Sequence, residues 1–220
     1  MFNLASSYTD LGRHADALKL FEETLALQKA KLGPDHSDTL MTMWGVASSL
    51  VDLDRSAEAW PIIDECLKRA EGQIVQPNVI WRLLKLRLRH FQAAKDAPGC
   101  GATAEMWEKL ERTDAGGLYD AACMRAVTAA VVEHDPKTPH ADAARLAREE
   151  ADRAMAWLKQ AVAAGYSDVQ LMQKDADLDA LRDREDFQKL VAELEAKTDQ
   201  KVLIKKESEV KKLEGAKTPQ

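Results

Sequence analysis

The chain has 220 residues, with 31 Lys+Arg against 37 Asp+Glu, a formal net charge of −6. Hydrophobic residues make up 45% and charged residues 31%, which excludes wholesale disorder, and 10 Gly with 7 Pro are too few for an all-β chain of tight turns. The acidic balance counts against nucleic acid as a partner, because phosphate binding needs a basic footprint. No run approaches the ~18 apolar residues of a transmembrane helix, so no membrane span is expected.

The N-terminus, MFNLASSYTDLGRH, lacks the basic-then-apolar order of a signal peptide. Cys66, Cys100 and Cys123 are odd in number and show no C-x-x-C spacing, which points to reduced thiols in a cytoplasmic setting and to no zinc site. Cys66 and Cys123 lie in Ala-rich helical stretches and are expected to be small core residues. Cys100, in PGCG, is expected to be the most exposed.

Self-similarity organises the first third of the chain. Residues 3–17, NLASSYTDLGRHADA, align without a gap on residues 45–59, GVASSLVDLDRSAEA, at an offset of 45 − 3 = 42. Ala5, Ser6, Ser7, Asp10, Leu11, Arg13, Ala15 and Ala17 recur as Ala47, Ser48, Ser49, Asp52, Leu53, Arg55, Ala57 and Ala59. Each unit reads as a helix pair. Leu4, Tyr8 and Leu11 at i, i+4 and i+7 form one apolar face, and Gly12-Arg13 breaks that helix. Ala17, Leu18, Phe21, Leu25 and Leu32 form the stripe of the second helix, which Gly33-Pro34-Asp35 stops. Ser37 or Asp38 is placed to cap the next helix. A lone helix pair cannot bury both of its faces, so copies must stack.

Leu4, Ala5, Tyr8, Gly12, Ala17 and Phe21 stand in the small-large order of the tetratricopeptide repeat (TPR) family, which this layout resembles. The linker LALQKAKLGPDHSDTL and the long period resemble the kinesin-light-chain type of that repeat. The resemblance implies a right-handed α-α superhelix, all-α, of about four helix pairs with a C-terminal capping segment. Residues 1–70 hold the two clear repeats.

Further on the repeat degrades, and 71–117 is expected to be a third unit. Asn78 to Ala94 reads as a helix with Trp81, Leu84, Leu88 and Phe91 on one face, residues 95–101 as a turn, and Ala102 to Leu110 as a shorter helix. A fourth pair, within 118–166, runs over Leu118–Val132 and Ala141–Ala164, joined by the exposed loop EHDPKTPH. Within 167–196, Leu178, Leu181, Phe187, Leu190 and Leu194 mark two short capping helices broken near Asp183. Together these segments make 1–196 one repeat domain. The remaining 197–220 is a charged, lysine-rich tail expected to be disordered. The stretch from LRLRHFQAAKD to the Leu178–Leu190 segment also resembles the C-terminal TPR regions of large bacterial proteins that carry a serine/threonine protein kinase. That resemblance implies a regulatory or interaction role beside a kinase. Met1 aligns with Met43, five or six residues inside the expected start of the second unit's first helix. The chain is therefore expected to be the C-terminal part of a longer array or to start at an internal methionine, with an N-terminal edge open to self-association.

No catalytic constellation stands out: no GxGxxG, no GK[ST] loop, no HRD or DFG set, no GxSxG elbow. His134 and His140 share a loop with Asp135 and Asp142 but lack a spacing that fixes two metal ligands, so no metal and no cofactor are expected. The chain is read as a non-catalytic scaffold that holds a protein or peptide partner in a concave groove. By analogy with the family, residues of each first helix off the packing face line that groove: Asn3, Ser6, Thr9 and Asp10, then Ser48, Val51 and Asp52. Arg82, Lys85 and Arg89, at i, i+3 and i+7, form a basic stripe suited to an acidic peptide. Trp44 is the one tryptophan expected to face the groove, with Trp60, Trp81, Trp107 and Trp157 in the core. Gly45 stands where Asn3 stands in the first unit, so the family's carboxylate clamp is not carried over.

Overall fold

The structure, a computed structural model, describes residues 1–70, 77–198 and 200. Every regular element among them is a helix, as expected, and no strand occurs among the described residues. The order is α1 (Phe2–Asp10), α2 (His14–Lys31), α3 (Ser37–Asp52), α4 (Ser56–Ala70), α5 (Pro77–Ala93), α6 (Ala97–Glu108), α7 (Ala115–Glu133), α8 (His140–Ala163), α9 (Val169–Lys174), a 3-10 turn η1 (Ala176–Leu181) and α10 (185–198). The chain divides into two compact units, Met1–Ala94 and Lys95–Gln220. Of the expected disordered tail, residues 199 and 201–220 lie outside the described residues, as do 71–76 at the start of the expected third repeat. No helix among the described residues is long and apolar enough to cross a membrane.

In the first unit the register of 42 reappears in the turns. Gly12 and Asp54 are both left-handed, at φ +71° and +58°. The N–H of Arg13 donates to the carbonyl of Tyr8 at 2.8 Å, and that of Arg55 to Leu50 at 2.8 Å. These are the long closing bonds of a helix C-terminus that turns through a left-handed residue. Each following helix opens the same way, with Arg13 Nε donating to Asp16 at 2.8 Å and Arg55 Nε to Glu58 at 2.7 Å. α3 is capped by neither Ser37 nor Asp38: His36 stands at the cap, and its Nδ1 accepts the N–H of Asp38 at 3.1 Å.

α3 is the centre of this unit, in contact with α1, α2, α4 and α5. It buries Leu40, Met43, Val46, Ala47 and Leu50, and burial of each large side chain here stabilises by about 1.5–3 kcal/mol. Gly45 has no room for a side chain, since a Cβ would come within 2.7 Å of the Phe21 ring on α2. The expected inward face of α1 is different. Leu4 and Leu11 are exposed, and Ala5 is the residue of α1 that is buried. With α2 and α3 on its inner side, this short helix has no described neighbour over Leu4 and Leu11.

In the second unit, α6 begins at Ala97, inside the stretch expected to be a turn. Asp96 caps it by accepting the N–H of Gly99 at 3.1 Å, and Pro98 sits in the first turn, where its missing N–H costs nothing. Cys100 is therefore helical and fully buried, not exposed. α7 buries 14 of its 19 residues and so forms the core of the unit, with α8 packed along it. Met172, Leu178, Leu181, Phe187, Val191 and Leu194 close over that core from α9, η1 and α10. The expected break near Asp183 falls between η1 and α10. α9 precedes them and has no counterpart among the sequence-based expectations.

Candidate peptide-binding trough

The first helices of the two clear pairs, α1 and α3, lie next to each other, and α5 lies next to α3. Two adjoining concavities open along them. The first, about 310 Å³, is floored by Phe21 and Gly45 and rimmed by Phe2, Ser6, Thr9, Asp10, Met41, Trp44, Ser48 and Arg82. The second, about 300 Å³, is lined by Trp44, Ser48, Trp81, Arg82, Lys85, Leu86 and Arg89. Trp44, Ser48 and Arg82 belong to both, so the two form one trough.

Of the candidate residues, the trough thus brings together Ser6, Thr9, Asp10, Trp44, Ser48, Arg82, Lys85 and Arg89. Asn3 and Asp52 are exposed and outside its lining. The Asn3 carbonyl accepts the Ser7 hydroxyl at 3.0 Å, and Asp52 lies 3.5 Å from Nδ1 of His14. Trp81 was expected in the core but is half-buried and lines the trough, with the Lys85 Nζ 5.2 Å from its ring centre. The reason is the width of the apolar face of α5. Leu83, Leu84, Leu86 and Leu88 are all buried between α3 and α4, which leaves Trp81 at the edge. Trp60 is half-buried outside the trough, stacked on Phe91 at 5.7 Å, whereas Trp107 is buried in the second unit.

The electrostatics of the lining are uneven. Arg87, also on α5, is neutralised by Asp64 of α4 at 2.9 Å. Among the described residues neither Arg82 nor Arg89 has a carboxylate within ion-pairing distance. The Arg82 guanidinium lies 4.5 Å above the centre of the Trp44 ring. Such a surface cation keeps its charge available to a ligand.

The second unit has a concavity of its own, about 510 Å³, lined in part by Glu108, Arg112, Leu118 and Trp157. Two of its charged lining residues, Glu108 and Arg112, are already paired. Arg125, 2% exposed, donates from Nε to Glu108 at 2.7 Å and from Nη1 to Glu150 at 3.0 Å, and the Trp157 indole donates to Glu108 at 2.7 Å. Burial alone would raise the Glu108 carboxyl, but the hydrogen bonds from Arg125 and Trp157 outweigh it and hold the group below its ordinary range. Arg112 pairs with Asp114 at 2.6 Å.

The three cysteines and the candidate metal ligands among the described residues are similarly committed. Burial pushes the Cys66 and Cys100 thiols up to about 12 and the Cys123 thiol well above its usual value, so all three are protonated near neutrality. Cys123, Asp175 and Asp177 hold ligand atoms within 4.8 Å of one another. Asp175, however, accepts the Tyr119 hydroxyl at 2.9 Å on one oxygen and the Asp177 N–H at 3.1 Å on the other. The cluster braces η1 against α7. His134 and His140 flank a loop that Asp135 ties down by accepting from the Lys137 N–H and the Thr138 hydroxyl.

Comparison with known proteins gives three findings. No curated protein matches the chain. The crystal structure of the nearly identical TPR-like repeats of a Podosopora anserina kinesin light chain is similar at 16% identity and a TM-score of 0.45, over 80% of this chain and 95% of that chain. Residues 1–71 match the tetratricopeptide repeat family, and that stretch holds the helix pairs α1–α2 and α3–α4 whose first helices line the trough.

Proposed function

We propose that the first unit is a non-catalytic protein-interaction module that captures an acidic peptide in the trough along α1, α3 and α5. Tetratricopeptide repeats generally mediate protein–protein contacts, and residues 1–71 match that family. The observation that carries the reading is the pairing pattern on α5. Arg87 is neutralised within the protein, whereas Arg82 and Arg89, which face the trough, have no carboxylate partner among the described residues. A carboxylate ligand replaces that missing partner through charge-assisted hydrogen bonds, and Trp44 and Trp81 supply flat apolar surface beside it. Three free thiols support a reducing, cytoplasmic setting.

The test is fluorescence anisotropy of labelled decaglutamate against the full chain. Arg82→Glu with Arg89→Glu leaves the circular dichroism unchanged, because both side chains are exposed, and abolishes binding. Binding that survives the double reversal removes the trough as the site.

A second reading is supported by a separate observation. Met1, Leu4 and Leu11 are 57%, 52% and 72% exposed on one side of α1, which suits self-association through this edge. Light scattering against concentration tests it. A mass that stays at one chain at high concentration, and does not respond to Leu4→Glu with Leu11→Glu, ends this reading.

A further inference from the structure

Arg82 stands where the two halves of the trough adjoin. Together with Trp44 and Ser48 it borders both the chamber floored by Phe21 and Gly45 and the basic chamber on α5. Its guanidinium lies 4.5 Å above the Trp44 ring, and that cation–π contact is the interaction that places it there among the described residues. Two other lining residues are anchored. Gly45 is locked under Phe21, and Leu86 is buried in the packing of α5. One exposed side chain with a weak hold therefore stands between the concavity that holds Phe2, Phe21 and Met41 and the cationic one on α5.

We infer that the Arg82–Trp44 stack is a gate that the ligand's own carboxylate opens, which makes Arg82 the specificity-determining residue of the trough. The inference rests on the reading of the trough as an acidic-peptide site. At an exposed position a guanidinium–ring contact favours the stacked state by only about two- to fivefold. A charge-assisted hydrogen bond to a carboxylate in the basic chamber shifts that balance by roughly tenfold or more. The arginine then leaves the ring, and the face of Trp44 is uncovered to both halves of the trough. An acidic group in one chamber and an apolar side chain in the other thus bind cooperatively, since the first clears the way for the second. A peptide with apolar side chains alone meets a closed gate.

The experiment uses the full chain labelled with 5-fluorotryptophan, with the Trp44 resonance assigned by its loss in Trp44→Phe. Decaglutamate is titrated while its anisotropy reports binding. The expected result is that the Trp44 ¹⁹F resonance moves on binding toward the position it holds in unliganded Arg82→Gln, where no guanidinium covers the ring. That variant should bind decaglutamate roughly tenfold more weakly. Arg82→Lys keeps the charge without the planar stack. Its Trp44 resonance should sit near the uncovered position before ligand is added, with affinity within about fivefold of the parent. If decaglutamate binds and the Trp44 resonance stays in place, or if Arg82→Gln leaves that resonance unmoved, the gate is wrong and the acidic-peptide reading stands. If decaglutamate does not bind at all, that reading fails and the gate with it.

Discussion

Met1 and Met43 hold the same register position in the two helix pairs, and so do Leu4 and Val46. Yet the first pair's residues are 57% and 52% exposed, and the second pair's are 1% and 3%. Sequence register decides that a helix forms and which way each side chain faces. Burial is decided by what stands opposite: α2 covers α3, whereas no described helix covers the matching side of α1. The same divergence appears at two smaller positions. Asn3 is exposed where its counterpart Gly45 is pressed under Phe21, and Gly12 makes the left-handed turn that Asp54 makes in the second pair. Repetition in the chain therefore yields two pairs of equal shape and unequal energetic weight.

Three pairs of substitutions break or sharpen this contrast, each read by urea unfolding of the full chain. The largest difference is expected between Met43→Ala and Leu4→Ala. The first leaves a cavity in the middle of the unit and costs about 2–5 kcal/mol, and the second, at an exposed site, costs less than about 0.5 kcal/mol. Equal losses would mean that the first pair is covered in solution. The next difference is at the glycine. Gly45→Ala forces a methyl group into the Phe21 ring and costs about 1–3 kcal/mol, whereas Asn3→Ala is near neutral. The smallest is at the turns. Gly12→Ala puts a Cβ in a left-handed conformation and costs about 1 kcal/mol, and Asp54→Gly relieves the same strain and stabilises by at most about 1 kcal/mol. Opposite signs at these two positions would confirm that the turns are equivalent although their residues differ.

Much of this was legible in advance, for identifiable reasons. Gly12, Gly33-Pro34 and the alanines that recur 42 residues apart punctuate and pattern the first two pairs locally, so helix ends and pairing follow from neighbouring residues. Trp44 could be placed on the trough because it sits beside Met43, whose register is buried. What escaped depends on partners far away in the chain. Trp81 reads as core on spacing with Leu84 and Leu88, but four buried leucines on α5 give that helix two packing sides and push Trp81 to the rim. PGCG reads as a turn from its glycines, yet the Asp96 cap and Pro98 begin a helix there and bury Cys100. The basic stripe was visible as a stripe. That Arg87 is neutralised while Arg82 and Arg89 have no carboxylate partner among the described residues depends on the position of α4, which no spacing on α5 discloses.

The central claim is that the first helices, and not the second ones, make the binding face. Hydrogen exchange of the full chain with and without saturating decaglutamate tests it directly. The account predicts added protection in α1, α3 and α5, with α2 and α4 unchanged. Protection confined to α2 and α4, or appearing only beyond residue 94, would contradict it.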